Sequence, residues 1–342
     1  MKILCTFLLV AVVLTTAAAP RAADTLPSQY TDAEFWKLVT DFSEPGGQFP
    51  YENFVSNEVS YQDVISEMKR RTTPGGVYLG VAPEQNFTYI AAVQPKLAFI
   101  FDIRRQNLIE LLMYKALFEM SPSRSEFVSR LFSRKPASLI ETTASATTLF
   151  NAFQKVRPDP QLYQDTLRTM KDRLVRQHQF QLTANDQQKI EYIFKVFYEG
   201  GPSMNYAYAS ASPNSLVPSY YLLMTGTDAR GQNSAFLASE DRYQYIRGLQ
   251  QKNLIVPVVG DFAGPKAIKA VGNYLKEHSA TVSVFYISNV EDYLQSSWNA
   301  YRSNIQALPF EESAYFIRFM PRAVTALRRV QDLPVRWPGR SW

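Results

Sequence analysis

The chain has 342 residues, 36 Lys and Arg against 31 Asp and Glu, and a formal charge of +5 at pH 7. The charges are well mixed, without the basic patch or stripe that nucleic-acid binding requires. Thirteen per cent aromatic residues with ordinary Gly and Pro mark a globular chain large enough for a sizeable core.

The first elements are a leader. Lys2 supplies a positive start, residues 3–14 are apolar, and residues 15–19 are small, which is the pattern of a secretory signal peptide spanning residues 1–23 with cleavage between Ala18 and Ala23. The apolar run is short of the ~20 residues a transmembrane helix needs, so no stable membrane span is expected once the leader is gone. The only cysteine, Cys5, precedes that run, so it is not a lipidation site. The expected mature chain is exported, periplasmic or secreted. It carries 34 basic and 31 acidic side chains, no cysteine and two histidines. Disulfides, thiolate metal sites and a cysteine nucleophile are excluded, no metal centre is expected, and a Ser-His-Asp triad has little to draw on. His178 lies in a polar stretch and His278 at a helix end, and both read as surface residues.

Residues 24–75 read as an N-terminal helical segment. Thr31-Asp32-Ala33-Glu34 has the form of a capping box, with Phe35, Leu38, Val39 and Phe42 following at helical spacing. Residues 49–61 are polar and aromatic without period, and residues 61–71 place Val64, Ile65 and Met68 on one helix face. From residue 76 the pattern changes to strand, tight loop, helix, strand and acid. Residues 77–80 are apolar, Asn86 can cap a helix that Pro95 closes, and residues 97–101 are a second apolar run ending at Asp102. Residues 104–200 read as a helical insertion, including amphipathic helices over 162–174 and 186–199 with Gly200-Gly201 as a stop. Residues 220–225 (YYLLMT), 253–261, 281–289 and 315–320 read as strands, with an amphipathic helix over 266–278. Near-continuous apolar strands alternating with helices predict an α/β, Rossmann-like, doubly wound and mainly parallel sheet over residues 76–342.

Three of these strands end in polar residues: Asp102, Asp261, and Ser288 with Asn289. A fourth ends in a tight loop at Gly80. Ligands of open α/β sheets bind outside the carboxyl ends of the strands, so all four endings face one site. An acid about 20 residues beyond a small-residue turn is the arrangement that holds a ribose. Asp102 can accept from both ribose hydroxyls, Asp261 can accept from an exocyclic amine, and Gly80 allows close backbone approach beside the helix that Asn86 opens.

This order of parts resembles a class I S-adenosylmethionine-dependent methyltransferase. Gly80-Val81-Ala82-Pro83-Glu84 stands where that family places its glycine-rich first motif, with Ala82 and Glu84 in place of the second and third glycines. Asp102 stands at the ribose acid, Asp261 at the adenine acid, and Ser288-Asn289 at the fourth motif. The stretches YLGVAPEQNFTYIA, FDIRRQN, NLIVPVVGDFAGPKAI and FYISNVEDYL are also similar to a group of uncharacterised exported bacterial proteins with a methyltransferase-like fold. The resemblance implies S-adenosylmethionine as cofactor, held by Gly80, Ala82, Pro83, Glu84, Asn86, Asp102, Asp261 and Ser288, and methyl transfer to an unknown acceptor bordered by Glu58, Tyr61 or Asn289. The alternative expectation is a catalytically silent exported protein that binds a nucleoside-like or other small ligand. A hydrolase is disfavoured, because no G-x-S-x-G elbow is present.

Several features keep two readings. Glu58 and Tyr61 either cover the reacting centre or belong to a helix start capped by Ser60 or Asn57. Arg104-Arg105 either bind an anionic acceptor or pair with an acid and cover the sheet edge. Residues 202–218, with Tyr206 and Tyr208, and then Tyr220 and Tyr221, form either a lid or an ordered loop. Asn86-Phe87-Thr88 matches a glycosylation sequon by coincidence.

Overall fold

The computed structural model describes residues 23–206, 217–320, 324–336 and 338. The expected leader falls outside them except for Ala23, as do residues 207–216 of the aromatic loop.

The first helix, α1 (Asp32–Phe42), starts at the expected capping box: Thr31 accepts from Glu34 N, and the Glu34 carboxylate accepts from Thr31 N. The second, α2 (Ile65–Arg71), is shorter than its pattern suggested and has no side-chain cap, so neither Asn57 nor Ser60 caps it. The alternation then begins: β1 (Val77–Val81), α3 (Gln85–Val93) and β2 (Leu97–Asp102). Every residue of β1 and β2 is buried, as expected for strands covered on both faces.

Among the described residues, seven α-helices separate β2 from β3: α4 (Arg105–Met120), α5 (Arg124–Phe132), α6 (Ala146–Gln154), α7 (Pro160–Asp172), α8 (Ala184–Gly200), α9 (Tyr220–Thr225) and α10 (Glu240–Gln251). They run well past residue 200, where the helical run was expected to end. The run YYLLMT is helix α9 rather than a strand, because Ser219 caps it by accepting from Leu222 N. The chain closes with β3 (Ile255–Val259), α11 (Ala267–Glu277), β4 (Val282–Ser288), α12 (Trp298–Ala307), β5 (Phe310–Met320) and β6 (Val324–Arg329).

The result is an α/β protein with one six-stranded sheet in the order β3-β2-β1-β4-β5-β6. The first five strands are parallel and β6 pairs antiparallel with β5. The run 3-2-1-4-5 is compatible with a Rossmann-like arrangement, and strand order reverses between β1 and β4. Helices α3, α4 and α10 pack together over β1, β2 and β3, while α1, α11 and α12 form a second group that reaches β3 through α1. Residues 107–118 of α4 are all buried, so this helix is part of the core rather than an appendage to it.

One expectation about charge is corrected. His178 is not a surface residue: its side chain is 13% exposed, with Nε2 2.7 Å from Glu119 Oε2 and Nδ1 2.9 Å from Asp32 Oδ2. Lys115 and Arg173 also reach Glu119, so this ion cluster ties α1 to α4. Burial opposes the His178 charge, but the Glu119 and Asp32 contacts outweigh it and raise its pKa.

Candidate functional site

After α1 the chain crosses the carboxyl ends of β2 and β3 before returning to the core. Glu44 N donates to Val259 O, and Gly47 N donates to Ile103 O at 2.7 Å. The Glu44 carboxylate accepts from the backbone N–H groups of Lys266 and Ala267, both at 2.7 Å, and so caps α11. Beneath this crossing lies a cavity of about 350 Å3. Its floor is made of the strand ends: Val81 of β1 and Ala82 after it, Asp102 of β2, Gly260 and Asp261 after β3, and Ser288 and Asn289 at β4. Phe49, Pro50, Phe262 and Tyr293 supply apolar walls. It spans the point between β1 and β4 where open α/β sheets bind ligands.

Three non-glycine residues lining this cavity sit in the left-handed region: Asn53 at φ 51°, Ala82 at φ 63° and Ser288 at φ 50°. Each such conformation costs of order 1–3 kcal/mol and persists where the surroundings impose it, commonly at functional sites.

Of the residues singled out from sequence, Ala82, Asp102, Arg104, Asp261, Ser288 and Asn289 meet here. The others do not line the cavity, and each has a physical reason. Gly80 is an interior residue of β1, and the space its missing Cβ leaves is filled by Asn86; a Cβ there would stand 1.8 Å from Asn86 Oδ1. Asn86 is not the helix cap but a buried clamp on the turn. Its amide donates to the carbonyls of Val81, Ala82 and Pro83, and its Oδ1 accepts from Tyr78 OH at 2.9 Å. Pro83 is buried within that clamped turn. Gly80→Ala is therefore expected to destabilise the protein by about 1–3 kcal/mol through overpacking. Thermal unfolding checks this, and an unchanged midpoint would contradict the clamp.

Glu84 turns away from the cavity into the core. Its Oε1 accepts from Ser56 N, its Oε2 has no partner among the described residues, and burial pushes its pKa up to about 8. Tyr61 is also a core residue: its hydroxyl donates to Leu223 O at 2.7 Å. Glu58 is buried behind β4, where it accepts from Ser288 Oγ at 2.5 Å, Tyr286 OH at 2.7 Å and Gln85 Nε2 at 2.9 Å. It touches a cavity residue without lining the cavity itself.

The two strand-end acids differ. Asp102 is engaged by Arg104 through Nε, Nη2 and the backbone N–H, at 2.9, 2.7 and 2.8 Å. Arg104 also donates to the carbonyls of Tyr51 and Glu52. Of the two readings of the arginine pair, ion pairing describes both members, since Arg105 binds Asp186 at 2.7 and 2.8 Å. With two hydrogen bonds on Oδ1 and one on Oδ2, Asp102 has little capacity left to chelate a diol. Asp261 makes an Asx-type turn with Ala263 N at 2.8 Å and has no ion pair among the described residues. Because Asp102 and Arg104 cancel, Asp261 leaves the cavity net negative. The residues present thus fit a flat neutral or cationic body between Phe49, Phe262 and Tyr293, and do not fit a ribose gripped by Asp102 in this arrangement.

Among the described residues, no group of three or more His, Cys, Asp or Glu side chains is placed to hold a metal. None of their helices is long and apolar enough to cross a membrane. A family model described as "Domain of unknown function (DUF7790)" matches residues 53–334, a span that includes all six strands. No curated protein matches the chain.

Proposed function

We propose that this chain, which belongs to the family described as Domain of unknown function (DUF7790), is an exported small-molecule-binding protein whose ligand is a flat, neutral or cationic compound of the nucleoside class. The leader-like residues 1–23 support export. The observation that carries ligand binding is the convergence of four strand ends, with Asp261, Ser288 and Asn289, on one cavity at the reversal of strand order. The aromatic walls suit a base, and the uncompensated Asp261 suits an exocyclic amine or a positive charge.

Methyl transfer from S-adenosylmethionine is the second reading. It is favoured by one observation: three positions that match methyltransferase motifs, Asp102, Asp261 and Ser288-Asn289, line this same cavity. The carboxylate of Asp102, occupied by Arg104, weighs against a ribose contact in either ligand and does not separate the two readings. Calorimetric titration of the purified protein with adenosine, S-adenosylhomocysteine and S-adenosylmethionine separates them. Binding of adenosine without preference for the other two supports a nucleoside-binding protein. Binding confined to the two sulfur-bearing compounds supports methyl transfer.

A further inference from the structure

Ser288 has more chemistry around it than ligand contact requires. It is the last residue of β4, partly exposed, and lines the cavity. The β4–β5 register shifts between Tyr286 and Ser288, an irregularity of the kind that re-aims a side chain beside an active site. At φ 50° its backbone is in the left-handed region. Its hydroxyl has two acceptors within reach, Glu58 Oε1 at 2.5 Å and Asn289 Oδ1 at 3.4 Å. The shorter bond takes the single proton, which leaves the Oγ lone pairs free of the carboxylate.

Glu58 is held in one orientation. Tyr286 OH donates to the oxygen that Ser288 uses, and Gln85 Nε2 donates to the other. Gln85 is itself fixed by Ser56 Oγ and Tyr89 OH. A carboxylate oriented by buried neighbours and bonded to a cavity-lining hydroxyl has the two contacts that define an activated nucleophile. Burial also raises the Glu58 pKa above that of a free glutamate, which makes its carboxylate a stronger base.

We propose that Ser288 and Glu58 are a nucleophile and its general base, acting on a carboxylic ester bound in the cavity. This rests on the cavity being the ligand site. Ser288 Oγ forms a bond to the ester carbonyl carbon while its proton passes to Glu58. The carbon–oxygen bond to the alcohol then breaks, and the alcohol leaves with the proton from Glu58. Water attacks the acyl-serine and gives its proton to Glu58 Oε1, the oxygen to which the acylated Ser288 no longer donates, and Ser288 Oγ recovers that proton as the carboxylic acid departs. One ester and one water become one acid and one alcohol, with Ser288 and Glu58 unchanged.

The test is labelling of the intact protein with a fluorophosphonate probe, with the adduct mapped by mass spectrometry. A single adduct on Ser288 is expected. Ser288→Ala should abolish it, and Glu58→Gln should slow it by about a hundredfold, the contribution of a general base. The thermal midpoint of each variant is measured alongside, so that slow labelling is not mistaken for unfolding. Absence of an adduct on Ser288 in the native protein at saturating probe would overturn the proposal, as would a folded Glu58→Gln protein that labels at the native rate. The nucleoside reading is judged separately. Heat on adenosine titration without an adduct removes the nucleophile and keeps the ligand site, whereas an adduct without heat keeps Ser288 and removes the nucleoside.

Discussion

Replacing Glu84 by glutamine is expected to stabilise the protein at pH 8 and to leave its stability near pH 4 almost unchanged. Glu84 is fully buried, and burial is the largest cause of its pKa being pushed up to about 8. Its backbone contacts with Ser56 and at its own N–H oppose that rise, and the Glu58 carboxyl adds to it. A raised folded-state pKa contributes stability that is fully present below the unfolded value of about 4.3, and this is lost as pH rises through the folded value. The window is therefore about pH 4 to 8, and the loss across it is on the order of 3–5 kcal/mol for this group. Glutamine keeps the shape, never ionises, and removes the loss. Urea unfolding of both proteins at pH 4 and pH 8 checks this: the curves should coincide at the lower pH and separate at the higher. Parallel curves at both would mean that Glu84 is not buried as described. Glu58 and Glu110 are also raised by burial, so the native protein should be most stable in mild acid.

Arg104→Met is expected to cost about 3–5 kcal/mol, because it leaves the buried Asp102 carboxylate without its partner. Arg104 does more than balance charge. It joins the end of β2 to the carbonyls of Tyr51 and Glu52, which belong to the segment crossing the cavity, and its guanidinium lies 5.8 Å from the centre of the Phe49 ring. Removing one partner of a buried pair is far worse than removing both. The double variant Asp102→Asn with Arg104→Met should therefore recover much of the loss. Unfolding free energies of the two singles and the double form the test, with a coupling of 0.5–3 kcal/mol or more expected for groups in contact. Additive losses would show that the pair carries no shared energy. If Asp102 bound a ribose in competition with Arg104, the Arg104 variant would also gain affinity for adenosine despite being less stable.

Much of the sheet could be read from sequence because its strands are buried on both faces. Leu97–Asp102 and Val282–Ser288 are long apolar runs that end in polar residues, and those ends are where the cavity lies. β6 was not legible, since Val324–Arg329 is a partly exposed strand ending in two arginines and carries no apolar run. The run at Tyr220–Thr225 reads as a strand from sequence because a short apolar stretch has no period of its own; Ser219 as a cap is the signal that points to a helix. Helix α10 carries a weak sequence signal because its polar residues outnumber the buried Tyr243, Ile246 and Leu249.

At the site, residue type predicted position better than role. Asp102, Asp261 and Ser288 were placed at strand ends by counting, but spacing could not show that Arg104 would occupy the carboxylate two residues before it. Gly80 looked like room for a ligand, whereas its neighbour in space is Asn86, six residues along the chain. Glu84 sits at the end of the loop beside α3, and whether its side chain faces ligand or core depends on the turn that Asn86 clamps. The Glu58 contact with Ser288 spans 230 residues and left no trace in local pattern.

The most direct test of the strand-end cavity as a ligand site is calorimetric titration of the native protein and of Asp261→Asn with adenosine, at ligand concentrations reaching the millimolar range. The native protein should release heat with a saturable, one-site isotherm. Asp261→Asn, which keeps the turn to Ala263 while losing the charge, should bind at least about tenfold more weakly, since a hydrogen bond to a charged group is worth ~1.5–3 kcal/mol. No heat from the native protein, or equal affinity in the variant, would contradict the cavity as the place where this protein holds a nucleoside.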